Sequence, residues 1–178
     1  MGCEERRAWK SSHWIVAGLA AVIVLFAGYS QAAEPEPEPE QAMIPMAPFT
    51  LEDQHGNEHT LDPSVRAILY SRDRKGGFVM TRSMEGRDGE FLGERGVLYI
   101  NDISSMPAYA ATLFALPKMR RRTYLILLDR TSEVTASFPD QDGKASLIHL
   151  DDMKIREVEY FADSDVLAAR MEKLPKAD

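Results

Sequence analysis

The sequence predicts an α/β domain: a mixed sheet flanked by helices, with a β-hairpin at its start. Three observations predict it. Short apolar runs at Ala67-Ile68-Leu69-Tyr70, Val97-Leu98-Tyr99-Ile100 and Tyr124 to Leu128 each stop at a polar residue and have the length of buried strands. Segments with helical spacing separate them. Two short segments, Phe49-Thr50-Leu51 and His59-Thr60-Leu61, flank a turn containing His55-Gly56-Asn57, which reads as a hairpin. Strands that alternate with helices and finish as a hairpin plus helix call for a mixed sheet with helices on both faces.

Taken in order, the run Ala67 to Tyr70 is a buried strand that opens into a polar turn, Ser71 to Gly77. Phe78-Val79-Met80 opens a helix that ends near Gly86. Glycines at 86, 89, 93 and 96 would each cost about 1 kcal/mol in a helix relative to alanine, so 86–96 is expected to be mostly loop. Val97 to Ile100 is a second buried strand ending in Asn101-Asp102. Ser105-Met106-Pro107 then starts a helix through about Leu116, with proline near its first turn. The third strand, Tyr124 to Leu128, ends at Asp129. Ser146 to Leu150 and Ile155 to Phe161 form an antiparallel hairpin across Asp151-Asp152, and Asp163-Ser164 caps a last amphipathic helix.

The amino-terminal third has a different character. Arg6, Arg7 and Lys10 precede an apolar or small run from Ile15 to Ala27, and Ser30-Gln31-Ala32 is a small-x-small site. This is the three-part pattern of a signal peptide over 1–32, cleaved near Ala32. The alternative is an uncleaved anchor: Trp14 to Tyr29 is just under the roughly 17–25 residues that span a bilayer. Both readings put the rest of the chain on the non-cytoplasmic side, because the positive charge stays inside. The expected location is periplasmic or secreted, or anchored to the inner membrane facing outward. Residues 33–48 form a linker, and Glu-Pro alternation from Glu34 to Glu40 makes it an extended spacer of roughly 20 Å. The folded domain is expected over 49–175.

Composition narrows the function. The formal charge is −7; Arg6, Arg7 and Lys10 against Glu4 and Glu5 give the leader +1, so the remainder carries −8. An acidic body disfavours nucleic acid and anionic lipid, so membrane contact is expected only through an uncleaved leader. The single cysteine, Cys3, precedes the apolar run and is not a lipobox residue. The body therefore has no disulfide, thiol nucleophile or thiolate metal site.

The order hairpin, strand, helix, strand, helix, strands, terminal helix resembles the thioredoxin-like superfamily. The opening segment Phe49 to Leu61 resembles the start of its exported peroxiredoxin-like and thiol-oxidoreductase-like members, and the likeness covers about 120 residues. In that family two cysteines separated by two residues occupy the place of Lys75-Gly76-Gly77-Phe78, and neither is present. The family's cis-proline would fall near Arg122-Thr123 or before Ser146, and neither place has a proline. Disulfide exchange and peroxide reduction need a thiolate, so the resemblance implies the scaffold alone.

The candidate ligand site is the turn Ser71, Arg72, Asp73, Arg74, Lys75, followed by Gly76 and Gly77. It lies where a central strand ends and a helix begins, a place that offers free N–H groups and a positive helix end to an anion. The bland alternative is a solvated loop in which Asp73 caps the helix.

Other clusters carry less. His55 and His59 with Asp53 and Glu58 sit on a hairpin tip and need not share a face, so no metal is assigned. Lys118 to Arg122 suits the negative end of a helix; the alternative is recognition of an acidic partner or head group. Asp140-Gln141-Asp142-Gly143 lacks the carboxylates a calcium loop requires at its first and last ligand positions. No catalytic residue or cofactor is assigned. The leading expectation is a binding or assembly module taking an unknown protein or small anionic ligand. The rivals are an enzyme using non-thiol groups around Ser71 to Lys75, and a membrane-tethered accessory protein spaced by the Glu-Pro segment. An enzyme should present a closed pocket at the turn with converging polar groups; a binder should expose an apolar patch or sheet edge.

Overall fold

The computed structural model describes residues 43–176; the leader and the Glu-Pro spacer lie outside the described residues. Eight strands form one mixed sheet: β1 (Ile44–Pro45), β2 (Thr50–Asp53), β3 (Glu58–Thr60), β4 (Ala67–Ser71), β5 (Val97–Asp102), β6 (Leu127–Asp129), β7 (Ala145–Asp151) and β8 (Lys154–Phe161). Their order is β1-β8-β7-β4-β5-β6-β2-β3. The neighbours β4, β5 and β6 run parallel, and β7 pairs antiparallel with the other side of β4. The central strand β4 is buried along its whole length, as its uniformly apolar run requires.

Helices α1 (Arg74–Ser83) and α2 (Gly89–Gly93) join β4 to β5. Helix α3 (Ala108–Ala110), a π turn (Ala111–Ala115) and α4 (Leu116–Met119) join β5 to β6, and α5 (Ser164–Glu172) closes the chain. This is the thioredoxin-like mixed sheet flanked by helices that the sequence predicts, with its hairpin β2-β3 at the start.

The helices do not divide between both faces. Val79 and Met80 of α1, Leu92 of α2, Ala111, Leu116, and Leu167 and Met171 of α5 all join one core cluster with Leu69 and Tyr99. Two successive crossovers, β4 to β5 to β6, advance in the same direction across the sheet. The right-handed rule therefore puts both helical connections on the same side. The opposite face, built on Ile68, Tyr70, Ile100 and Ile148, is closed by Leu61, Phe138 and the segment around Met46 and Phe49. Phe138 packs edge-on to Tyr70 at 5.2 Å and against Phe49 at 5.6 Å.

Three local expectations are corrected. Helix α1 starts at Arg74, ahead of Phe78, because Asp73 caps it. The expected loop at 86–96 contains α2, capped by Asp88, with its glycines at the two ends where their helix cost is least. The helix after Pro107 runs past Leu116 to Met119 and so contains Pro117. Pro117 has no N–H for the carbonyl four residues back and its ring would crowd it; the π turn widens the helix at that place.

Candidate functional site

The chain leaves β4 at Ser71, and the five residues expected to form one site separate there. Ser71 is buried, and its Oγ donates to Asn101 Oδ1 at 2.8 Å, tying the ends of β4 and β5 together. Asp73 accepts from the amides of Lys75 at 2.7 Å and Gly76 at 2.9 Å, and from the Gly143 amide at 2.6 Å. Burial pushes the Asp73 carboxyl up, but these three hydrogen bonds and the Lys75 charge outweigh it and hold it below the ordinary value. Two helix-end amides that an outside anion would use are thus taken by the protein's own carboxylate.

Gly76 is required by crowding: a Cβ there would lie 2.2 Å from the Lys144 carbonyl oxygen. Of the two places where the resemblance puts a cis-proline, the segment before Ser146 is the one that meets the turn. Among the described residues no peptide bond is cis.

The three cations also part company. Arg72 is spent internally. Its Nε donates to the Tyr70 hydroxyl at 3.1 Å and one Nη to the Thr135 carbonyl at 2.8 Å. It pairs with Asp140 at 3.0 Å and Asp102 at 3.8 Å. Arg74 and Lys75 are exposed and enter no salt bridge among the described residues.

Behind Arg72 lies a polar network of paired strand ends. Asp102 and Asp129 are register partners on β5 and β6, and the Thr135 hydroxyl lies 3.1 Å from one carboxylate and 3.0 Å from the other. Asp129 accepts from the amides of Thr131, Ser132, Val134 and Thr135 at 2.8–3.1 Å, which shapes the loop and holds Ser132 at φ 62. Asp102 accepts from the Ser104 amide at 2.9 Å and the Ser132 hydroxyl at 2.7 Å. Burial raises its carboxyl, and the bonds from Ser104, Ser132 and Thr135 more than reverse that. An aspartate ending each of two apolar strands was the visible signal; their shared threonine lies on the loop that follows β6, near Asp129 in sequence and brought to Asp102 by the fold.

On the helix side of the same strand ends the protein is open. A cavity of about 320 Å³ is lined by Ser71, Arg74, Phe78, Asn101, Met106 and Met119, with Arg72 and Asp102 of the polar network also in its lining. A second, of about 680 Å³, shares most of these residues and extends along α3, the π turn and α4 to Tyr99, Phe114, Lys118 and Arg122. Together they make one groove. Its walls carry Phe78, 64% exposed, and Phe114, 61% exposed. Its rim carries Arg74, Lys118 and Arg122, none of them in a salt bridge among the described residues. The Tyr99 hydroxyl in its lining is buried and has no hydrogen-bond partner among the described residues; burial pushes that phenol well above its ordinary value. From the basic run at 118–122, Lys118 and Arg122 reach the groove, while Arg120 donates to the Gln54 carbonyl at 2.9 Å.

The hairpin histidines serve the turn. Asp53 bonds the His59 ring at 3.1 Å and accepts from the His55 amide and from both nitrogens of Asn57. The Gly143 turn, set aside as a calcium loop, instead meets Asp73.

No family model matches this chain, and no curated protein matches it. Solved structures do. The peroxidoxin BcpB of Mycobacterium tuberculosis is 18% identical, with 75% of this chain and 97% of that chain covered at a TM-score of 0.49. A thio-disulfide isomerase of Thermus thermophilus is 19% identical, with 75% and 96% covered at 0.48. The exposed lipoprotein thioredoxin Etrx1 of Streptococcus pneumoniae is 12% identical, with 72% and 100% covered at 0.47. The fold class rests on the strand order and crossovers described above: a thioredoxin-like domain with no cysteine at its turn.

Proposed function

We propose that this chain is an exported binding module whose groove beside the Ser71 to Lys75 turn takes an acidic, apolar segment of a partner protein. One observation carries the reading: two exposed aromatic walls, Phe78 and Phe114, flank a groove rimmed by Arg74, Lys118 and Arg122. Exposed apolar surface framed by polar residues marks interaction sites, and three uncommitted cations in an acidic protein select an acidic occupant. Lys75 adds charge at the near end. The site is open, which favours a binder over an enzyme. The only hydroxyl at the turn, Ser71, is bonded to an amide side chain that is not a base. Without a thiolate the body has no means of disulfide exchange or peroxide reduction. The leader and Glu-Pro spacer make the module periplasmic or secreted and hold it clear of the export site.

Peptide display against the purified full chain tests this. Selected sequences should combine Asp or Glu with a large apolar side chain. Their binding should weaken as salt rises and fall by about tenfold in the Arg74→Glu, Arg122→Glu double variant. Selected peptides without acidic bias, or equal binding by the double variant, would refute the reading.

A further inference from the structure

At the opposite end of the sheet, where β4 begins, a second and smaller cavity of about 280 Å³ gathers charge of one sign. Its lining includes Arg66, Arg95, Arg156 and Lys176 against a single carboxylate, Asp151. That is four of the 21 lysines and arginines of a chain whose net charge is −7. Four distant segments supply them: the residue before β4, the turn before β5, strand β8 and the segment after α5. Like charges gathered in one cavity repel, and a counter-anion relieves that repulsion.

The cations differ in how far they are committed. Lys176 pairs with Glu94 at 2.7 Å. Arg95 is only 8% exposed and is held in a fixed orientation. Its guanidinium lies 3.9 Å over the Phe91 ring, donates to the Phe91 carbonyl at 3.1 Å, and pairs with Glu94 at 3.5 Å and Glu172 at 3.6 Å. Its Nε is buried and has no hydrogen-bond partner among the described residues. A buried guanidinium donor without an acceptor is an unmet need. Arg66 and Arg156 are exposed and join no salt bridge among the described residues. Gly96, at φ 59, keeps Arg66 against the start of β5: a Cβ there would stand 2.9 Å from the Ser64 carbonyl oxygen and 3.0 Å from Arg66 Cγ. His149 also lines the cavity, but its Nε2 is taken by Glu159 at 2.7 Å.

We infer that this cavity binds a compact phosphate-bearing anion, with Arg66 and Arg156 as its charge contacts and the preoriented Arg95 supplying the buried donor. Guanidinium groups suit such a ligand because their planar donors match oxyanion geometry. The volume suits a small molecule, and the site is separate from the groove beside Ser71.

Calorimetric titration of the purified full chain with inorganic pyrophosphate tests the assignment. It should show one saturable site, weakened by added salt. The Arg66→Gln, Arg156→Gln double variant changes only exposed side chains and should keep its melting temperature while losing affinity by about tenfold or more. The Arg74→Gln, Arg122→Gln variant, altered in the other groove, should bind pyrophosphate as well as the unaltered chain. Absence of saturable binding would overturn the inference, as would unchanged affinity in the Arg66, Arg156 variant or an equal loss in the groove variant. Binding to vesicles of phosphatidylcholine with phosphatidylglycerol, without pyrophosphate binding, would also overturn it, since the charge would then serve a lipid surface and not the cavity.

Discussion

Arg72 and Arg74 stand two residues apart on one turn and have different surroundings. Arg72 meets Asp102, Asp140, the Tyr70 hydroxyl and the Thr135 carbonyl. Arg74 lines a groove whose walls are Phe78, Met106 and Met119 and has no salt-bridge partner among the described residues. The first neutralises carboxylates and holds a loop; the second carries a charge that no acid neutralises among the described residues. A cluster of cations in sequence is therefore not a cluster in function. Both side chains line the cavity beside the turn; what decides is whether an acid is waiting beside each of them.

The closed side and the open side should respond differently to substitution, and the scaffold beneath both should respond most. Gly76→Ala sets a Cβ against the Lys144 carbonyl, a backbone atom that cannot swing away. Thermal or denaturant unfolding should show a loss of about 3 kcal/mol, at the upper end for overpacking; a loss under about 1 kcal/mol would mean that β7 and α1 slide apart freely. Next in size is the closed side. Asp129→Ala strands four amides, while the Thr135 hydroxyl keeps Asp102. Denaturant unfolding should register about 2–3 kcal/mol, whereas Phe114→Ser on the open side should change stability by less than about 0.5 kcal/mol. Equal effects from the two would erase the distinction.

Acid should separate the sides more gently. The carboxyls of Asp53, Asp73 and Asp102 all lie below their ordinary values in the folded protein. A depressed folded value means that each contributes its stability above the unfolded value, about 4, and loses it as pH falls from there. Melting temperature should thus hold from neutral pH to about 5 and decline below about 4. Asp102→Asn should shrink that decline by removing one titrating group. A flat melting temperature down to about pH 3 would contradict the network's energetic role.

Much of the fold was legible because it is local. The three apolar runs mark β4, β5 and the β6 region, and Asp163 caps α5 as its position before Ser164 suggests. Asp73 as a helix cap was visible beside the anion reading, and the structure gives that carboxylate the cap role. The short α2 was hidden by glycines counted as interior that stand at its ends. The placement of all α-helices on one face depends on crossover direction, which no single segment encodes. The groove was half legible: Arg74 and Phe78 lie in the turn and its helix, but Phe114, Lys118 and Arg122 arrive through a helix whose π turn follows from Pro117. The cavity at the start of β4 was not legible, because Arg66, Arg95, Arg156 and Lys176 share no sequence neighbourhood.

The direct test of the central distinction is a crossed pair of single substitutions, Arg72→Ala and Arg74→Ala. Each is measured for melting temperature and for affinity toward one acidic, apolar peptide selected on the full chain. Arg72→Ala is expected to lower the melting temperature while leaving peptide affinity within about twofold, since it uncouples a buried polar network. Arg74→Ala is expected to leave the melting temperature in place and weaken the peptide by about threefold to tenfold, with a shallower salt dependence. If Arg74→Ala leaves affinity untouched, or Arg72→Ala weakens the peptide at an unchanged melting temperature, the division of the turn into a closed side and a binding side is wrong.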